Sequence, residues 1–282
     1  MKIDTLVVLY NPKEEYLSYY IPLFTFSEHV IFVDNSTSYN ESLISELKKY
    51  SNFIYISLHG NQGVAKALKE GTKLAIKNSA DYLLTLDQDS IFPINKIDEI
   101  KEILIKHEKE NYGIIGLNFN SNERGNEIQD KRWWLTSGNF INLEAYKKLK
   151  VGFREELFID GVDTDIGYQF HQIDYKVGYI KGISLIHNMG DPKKIGFGKL
   201  SFTLLNYSPI RYYYIFRNIN YLYSLDSKFF KVDKRNIDWK MYLKVLFFEK
   251  NKKKNLKAIS LGRKDAKNNV LGRCSYDKFF NR

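Results

Sequence analysis

Residues 83–92 read LLTLDQDSIF, an apolar run that ends in two aspartates one residue apart. Like charges at that spacing repel one another unless a cation lies between them or water screens them. Asp87 and Asp89 therefore mark either a divalent-cation site or an exposed turn, and the choice depends on where this run stands in the fold. Three more apolar, β-branched or aromatic runs precede it: TLVVLYNP (5–12), HVIFVDNS (29–36) and NFIYISLHGNQG (52–63). Each closes in turn residues, and VAKALKEGTKLAIKNS (64–79) follows the third with helical spacing, Val64, Leu68, Leu74 and Ala75 on one face. Strands alternating with helices predict an α/β chain whose mostly parallel central sheet is flanked by helices. In such a sheet the C-terminal strand ends share one edge, the place where open α/β sheets bind ligands. Tyr10, Asp34, Gly63, Asp87 and Asp89 are expected to converge there.

Composition narrows the class of protein. The 282 residues carry 44% hydrophobic and 27% charged side chains, ordinary globular usage, with an unusual 21 Tyr and 19 Phe. Tyrosine-rich chains suit amphipathic partners such as sugars. No stretch approaches the ~18 apolar residues of a membrane span, and MKIDTLVVLYNP does not read as a signal peptide, so a cytoplasmic location is expected. The single Cys274 excludes an internal disulfide and any cysteine metal cluster, and five His argue against a His-rich zinc site.

The net charge of +10 is unevenly spread. Residues 228–282 hold 17 Lys+Arg and 5 Asp+Glu, net +12; subtraction from 43 and 33 leaves 26 and 28 for residues 1–227, net −2. A near-neutral body carries a basic, aromatic, helical tail. Basic clusters with aromatic residues also suit nucleic acid, but the body is slightly acidic and holds no recognisable nucleic-acid module, so no nucleic-acid partner is expected. WKMYLKVLFFEKNKKK (239–254) interleaves Trp239, Tyr242, Leu243, Leu246 and Phe247 with lysines. A segment of that composition suits an anionic membrane surface as well as a solvated basic helix.

Further along, FIDGVDTDIGYQ (158–169) places Asp160, Asp163 and Asp165 just before a helix. Capping accounts for one or two acidic residues at a helix start, and the third is a candidate general base. His187 closes the apolar run in SLIHNMG (184–190) and is either a structural histidine or, beside a cation held by the aspartates, a further ligand. Of the adjacent Trp133 and Trp134, one is expected to line a sugar or acceptor pocket, because both cannot face inward on a strand. Gly63 opens a helix as a phosphate-binding turn would, although an ordinary βα turn looks the same.

In order along the chain, VVLYNP, VDNS, NQGVAKALKEG, LTLDQDS, TSGNFIN, FIDGVDTDIGYQ, HNMGD and SPIRYYYIFRN resemble the inverting family 2 glycosyltransferases, and within them the bacterial rhamnosyltransferase-like group. The resemblance implies a GT-A type fold over residues 1–225, with 226–282 as a C-terminal basic helical extension. It implies that Tyr10 and Asp34 contact the nucleobase and that Asn61 and Gly63 line the nucleotide pocket. By the same resemblance Asp87 would lie near the ribose and metal, and Asp89 would ligate Mn²⁺ or Mg²⁺ on the donor diphosphate, beside which His187 is the further ligand expected from the residues themselves. Asp163 occupies the place of the base, although Val162 stands where the family commonly has Glu, which leaves Asp165 in competition. Trp133, Trp134 and Asp165 are the candidate acceptor or sugar contacts. The implied donor is a dTDP- or UDP-sugar, dTDP-L-rhamnose first. The implied acceptor is a saccharide on a polyprenyl diphosphate, met at the inner face of the plasma membrane in cell-surface polysaccharide synthesis. A sugar nucleotidyltransferase also uses paired aspartates, but LYNPKEEYL (9–17) is a poor phosphate loop.

Overall fold

The four apolar runs become four parallel strands: β1 (Ile3–Leu9), β2 (Val30–Asp34), β3 (Phe53–Ser57) and β4 (Tyr82–Asp87). In this computed structural model residues 1–187, 193–195, 202–204, 207–249, 251–276 and 280 are described. They fall into two compact units, one of residues 1–155 with 162–188, the other of 156–161 with 189–282.

In the first unit β5 (Ser90–Ile91), β6 (Tyr112–Phe119), β7 (Ile128–Lys131), β8 (Asn139–Asn142) and β9 (Lys176–His187) complete a nine-stranded sheet of order β3-β2-β1-β4-β8-β6-β9-β5, with β7 also against β9. β8 is antiparallel to both β4 and β6, so β6 and its parallel neighbour β9 run in the direction of β1–β4. The sheet is thus mostly parallel, as expected. It must also curl. β5 stands four positions from β4, ~19 Å in a flat sheet at ~4.8 Å per strand. Yet only Gln88 and Asp89 separate the two strands, and three residue steps reach at most ~11 Å. The bend sits in β9, where the pairing with β6 jumps from Leu117↔Ile180 to Asn118↔Ser184. The looped-out residues 181–183 are held by Asn118 Nδ2, which donates to the Lys181 carbonyl (3.0 Å), and by the Gly182 amide, which donates to the Gly125 carbonyl (2.7 Å). A bulge of this kind re-aims a strand end, and the end of β9 is carried onto β5.

The helix Val64–Lys77 buries Leu68 and Ala75 as expected, but its closest face is the small-residue stripe Ala65, Ala67, Gly71 and Thr72, with Val64 and Leu74 only half-buried. The reason is the distance to the sheet: a Cβ on Gly71 would lie 2.4 Å from Leu6 Cδ1. Large apolar residues cannot occupy that line.

The second unit is organised by Pro209–Leu225 and Lys252–Lys267. Their core joins Tyr212, Tyr213, Ile215 and Phe216 to Val245, Ala258 and Ile259. Contact is close enough that a Cβ on Gly262 would meet the Tyr213 carbonyl at 2.4 Å. Two tyrosine hydroxyls donate to buried carboxylates, Tyr212 to Glu249 and Tyr213 to Asp265, each at 2.7 Å. Residues 231–248 are helical, with a π-type stretch over Asn236–Met241. Ile237, Met241, Tyr242 and Val245 face the core, whereas Trp239 (67% exposed), Leu243, Leu246 and Phe247 (61%) face outward, with exposed Lys240 among them and Lys252, Lys253 and Lys254 next along the chain. Among the described residues no helix is long and apolar enough to cross a membrane.

Candidate active site

Pairing register fixes the expected edge. Asp34 is opposite Leu9 and Ser57, and Asp87 is opposite Val8, so the ends of β1–β4 are level and Asp34, Tyr10 and Asp87 follow one another across them. Ser90, one residue past Asp89, pairs with His187 at the end of β9. The fold thus brings the backbone of His187 beside the Asp-x-Asp turn although 97 residues separate Ser90 from His187 in sequence. The rest of HNMGD, residues 188–191, lies outside the described residues.

The turn itself is pinned through its middle residue. The Gln88 side-chain Oε1 accepts the Tyr10 amide (2.7 Å), and its backbone carbonyl accepts the hydroxyl of fully buried Tyr20 (2.9 Å). Ser137 Oγ accepts the Asp87 amide (3.0 Å) and lies 2.8 Å from Ser90 Oγ. Three elements distant in sequence therefore hold the backbone that carries Asp87 and Asp89, both half-buried. Burial pushes the Tyr20 phenol far above its ordinary range, so its hydroxyl stays protonated as the donor to the Gln88 carbonyl.

Asp34 is 5% exposed, and its two oxygens accept from the Ser36 amide (2.8 Å) and the Tyr55 hydroxyl (2.6 Å). Burial, then the hydrogen bond to Asp34, keeps the Tyr55 phenol protonated well beyond its usual range, so Tyr55 serves as a fixed donor. Tyr10, half-exposed at 45%, presents its ring at the same edge. Next along, Asn61 Oδ1 accepts the Gly63 amide (3.1 Å) and an Nδ2–H of Asn35 (3.3 Å), while Asn35 Oδ1 accepts the Gln62 amide (2.6 Å). Gly63 has φ +92°, a conformation that favours glycine, and opens the helix Val64–Lys77.

Asp163 is the second residue of the helix Val162–His171 and is half-buried. Asp165, in the same first turn, is 1% exposed. Its Oδ2 accepts from Arg154 Nε (3.2 Å) and Gln169 Nε2 (2.8 Å). Gln169 in turn bonds both backbone groups of Gly152, so Asp165 belongs to a buried network that ties the helix to the segment before it. Trp133 and Trp134 lie between β7 and β8 rather than on a strand, which removes the alternation argument, and both are half-buried. Trp134 stacks on Tyr179 (4.0 Å, 6°), its indole N–H donates to the Leu117 carbonyl (2.8 Å), and a Cβ on Gly116 would collide with it.

Gln88, Tyr20, Tyr55, Asn35 and Ser137 escape a reading of sequence. Gln88, Ser137 and Asn35 stand inside the motifs LTLDQDS, TSGNFIN and VDNS, and Tyr55 inside the third apolar run, but nothing in those stretches marks the long-range bonds they make. Among the described residues no group of three or more His, Cys, Asp or Glu is placed to hold a metal ion. The donor set present is two carboxylates on one turn, which Mg²⁺ and Mn²⁺ accept when water and phosphate oxygens complete the shell.

Residues 24–158 match the family model "Glycosyl transferase family 2". The chain is 26% identical over 239 residues to a dTDP-rhamnosyl transferase of Shigella flexneri, RfbF, covering 77% of this chain and 78% of the relative. A shorter stretch of 93 residues is 34% identical to poly-beta-1,6-N-acetyl-D-glucosamine synthase of Staphylococcus aureus, covering 32% of this chain and 22% of the synthase. In three dimensions the chain is similar to S. aureus TarS residues 1–349, with TM-score 0.61 at 15% identity over 94% of this chain and 81% of that fragment. The TarS complex with UDP-GlcNAc gives TM-score 0.62 at 14% identity, again over 94% of this chain and 81% of that one. The fold is that of the GT-A glycosyltransferases.

Proposed function

We propose, from the premise that the chain is a glycosyltransferase carrying a family 2 domain, that it moves one sugar from a nucleoside diphosphate to a saccharide hydroxyl with inversion. The donor proposed is dTDP-L-rhamnose, with UDP-hexoses as the competing class; the relative over most of the chain is a dTDP-rhamnosyl transferase. The observation that carries the reading is the pinned Asp-x-Asp turn on the same strand-end edge as Asp34.

Asp34, already oriented by Tyr55 and Ser36, accepts from the nucleobase, and the Tyr10 ring packs against it. Asn61 and Gly63 form the wall over the nucleotide, and Asp87 meets the ribose. Asp89, with His187, would hold Mg²⁺ or Mn²⁺ when the donor is bound. That ion would supply positive charge beside the leaving diphosphate. Asp163 takes the proton of the acceptor hydroxyl as that oxygen attacks the anomeric carbon from the face opposite the diphosphate. The bond to the diphosphate breaks in the same displacement, so the anomeric configuration inverts without a covalent enzyme intermediate. The commitment of Asp165 to Arg154 and Gln169 supports Asp163 for this role, and Asp165 then steadies the helix turn on which Asp163 stands. Trp133 and Trp134 are assigned to the sugar or acceptor side.

The acceptor proposed is carried on a polyprenyl diphosphate in an anionic membrane. The outward stripe of Trp239, Leu243, Leu246 and Phe247 with its neighbouring lysines supports that reading, since such segments gain about 1 kcal/mol per basic residue at an anionic surface. The enzyme would then sit peripherally at the inner face of the plasma membrane and serve synthesis of a surface polysaccharide. The test is incubation of the full chain with labelled dTDP-L-rhamnose or UDP-hexoses, with and without bacterial lipid extract. Nucleoside diphosphate release with label entering the lipid fraction is expected. Release without label in lipid would overturn the lipid-linked acceptor, and no release from any donor would overturn the transferase reading.

A further inference from the structure

SPIRYYYIFRN stands out in the sequence, yet none of the site roles above uses it. In the structure it forms the first part of the helix Pro209–Leu225, and three of its polar side chains close on one short segment, Glu156–Gly161. Asn218 Nδ2 lies within hydrogen-bond distance of three backbone carbonyls, those of Leu157 (2.9 Å), Ile159 (2.7 Å) and Asp160 (2.7 Å). Arg217 donates through one terminal nitrogen to the carbonyls of Glu156 (3.2 Å) and Leu157 (2.9 Å), and through the other to that of Gly272 (2.5 Å). Its Nε donates to Asn218 Oδ1 (2.8 Å), which fixes the amide so that its N–H groups face the segment. Both residues are fully buried, and the guanidinium lies over the rings of Tyr213 (5.5 Å) and Tyr214 (4.9 Å). Arg211 completes the set with a two-point bond to the Asp160 carboxylate (2.8 and 2.6 Å).

The clamped segment is strained. Phe158 (φ +66°) and Asp160 (φ +62°) both adopt the left-handed region without being glycine, and Gly161 follows at φ +79°. Such conformations persist only where surrounding bonds over-determine them, and they concentrate at functional sites. The chain leaves this segment directly into the helix Val162–His171, so Asp163 is two residues beyond Gly161.

We propose that Arg217 and Asn218, supported by Arg211, are positioning residues for the transfer reaction: they hold Glu156–Gly161 in its strained path and thereby set where the helix starts and where its Asp163 carboxylate stands. The inference rests on the assignment of Asp163 as base. Arginine is required at 217 because a flat fork reaches one amide oxygen and three carbonyls together, a pattern the point charge of lysine cannot reproduce. Asparagine is required at 218 because its amide supplies an acceptor to Arg217 and donors to the carbonyls at once.

The test compares Asn218→Asp, Arg217→Lys and Arg211→Gln with wild type in the full chain, reading nucleoside diphosphate release from the donor that wild type turns over. Asn218→Asp keeps the acceptor for Arg217 and loses the donors; Arg211→Gln removes a half-exposed side chain and keeps the buried pair intact. The expected result is a fall in kcat of about tenfold to a hundredfold, the scale of small misplacements of catalytic groups, with the donor KM unchanged and the acid limb of the kcat profile displaced. Hydrogen exchange should accelerate at residues 157–163 and nowhere else. Unchanged kcat in folded Arg211→Gln and Asn218→Asp would overturn the proposal, as would a loss of activity that merely tracks the folded fraction. Should wild type release no diphosphate from any nucleotide-sugar, the transferase reading falls and this inference with it; an active wild type with indifferent variants removes the clamp alone.

Discussion

Two aspartates in one helical turn, Asp163 and Asp165, are expected to fail in opposite ways when each is changed to asparagine. Asp165→Asn removes the negative partner of Arg154 (3.2 Å) and weakens the bond from Gln169 (2.8 Å) at a site that is 1% exposed. Breaking a buried ion pair costs about 3–5 kcal/mol. The Arg154 side chain keeps some contact with water and the new amide still accepts one bond, so about 2–3 kcal/mol is the appropriate figure here. A chain of this length unfolds with an entropy of about 0.6 kcal/mol/K, so the melting temperature should fall by about 3–5 °C. Asp163→Asn touches a half-buried side chain in the same turn and should leave the melting temperature within about 1 °C, the ordinary range for surface changes. Its cost falls on the reaction: loss of a general base typically removes 10²–10⁴-fold of rate, about 3–5 kcal/mol of barrier. The assay pairs a thermal melt with nucleoside diphosphate release at saturating donor. Normal turnover in Asp163→Asn with a dead but stable Asp165→Asn would refute the assignment.

Other consequences follow from packing, titration and charge. Gly71→Ala places a methyl 2.4 Å from Leu6 Cδ1 in the interface between helix and sheet, and thermal or urea unfolding should show a loss of about 1–3 kcal/mol; a neutral result would mean that Leu6 rearranges freely. Burial pushes the Tyr82 and Tyr146 phenols up to about 12. The folded state keeps these protons after the unfolded chain has lost them, so their contribution is whole below about pH 10 and disappears as pH rises toward 12. Melts between pH 9 and 12 should decline across that window, and Tyr82→Phe should flatten the decline; an unchanged slope in that variant would contradict the account. Replacing Trp239 and Phe247 together by serine should reduce sedimentation with phosphatidylglycerol vesicles severalfold and leave the melting temperature unchanged, since both rings face outward. Equal sedimentation would remove this stripe as the membrane-binding surface.

The four strands β1–β4 and the edge they share are legible in the sequence because each apolar run ends in Asn, Pro, Asp or Gly, and parallel pairing then levels their ends. The curl of the sheet is not legible. It depends on a three-residue bulge at 181–183 and on a two-residue strand, Ser90–Ile91, whose pairing is decided by contacts across the fold. The same holds for the supports of the site: Gln88, Tyr20 and Ser137 act on Asp87 and Asp89 through bonds that span 50 to 78 positions, and although Gln88 and Ser137 stand inside LTLDQDS and TSGNFIN, those motifs do not announce the partners. Asp163 and Asp165 are indistinguishable by spacing. Burial and the Arg154 bond separate them.

The central claim is that a nucleotide-sugar binds on the strand-end edge through Asp34, Asp87 and Asp89. The most direct measurement is thermal stabilisation of the full chain by a panel of dTDP- and UDP-sugars, each with and without Mn²⁺ or Mg²⁺, in wild type and Asp89→Asn. At 100 times its dissociation constant the true donor should stabilise wild type by about 2.7 kcal/mol, and most of that metal-dependent gain should vanish in Asp89→Asn. If no nucleotide-sugar or nucleoside diphosphate moves the wild-type melting curve, with or without either metal, the account is contradicted.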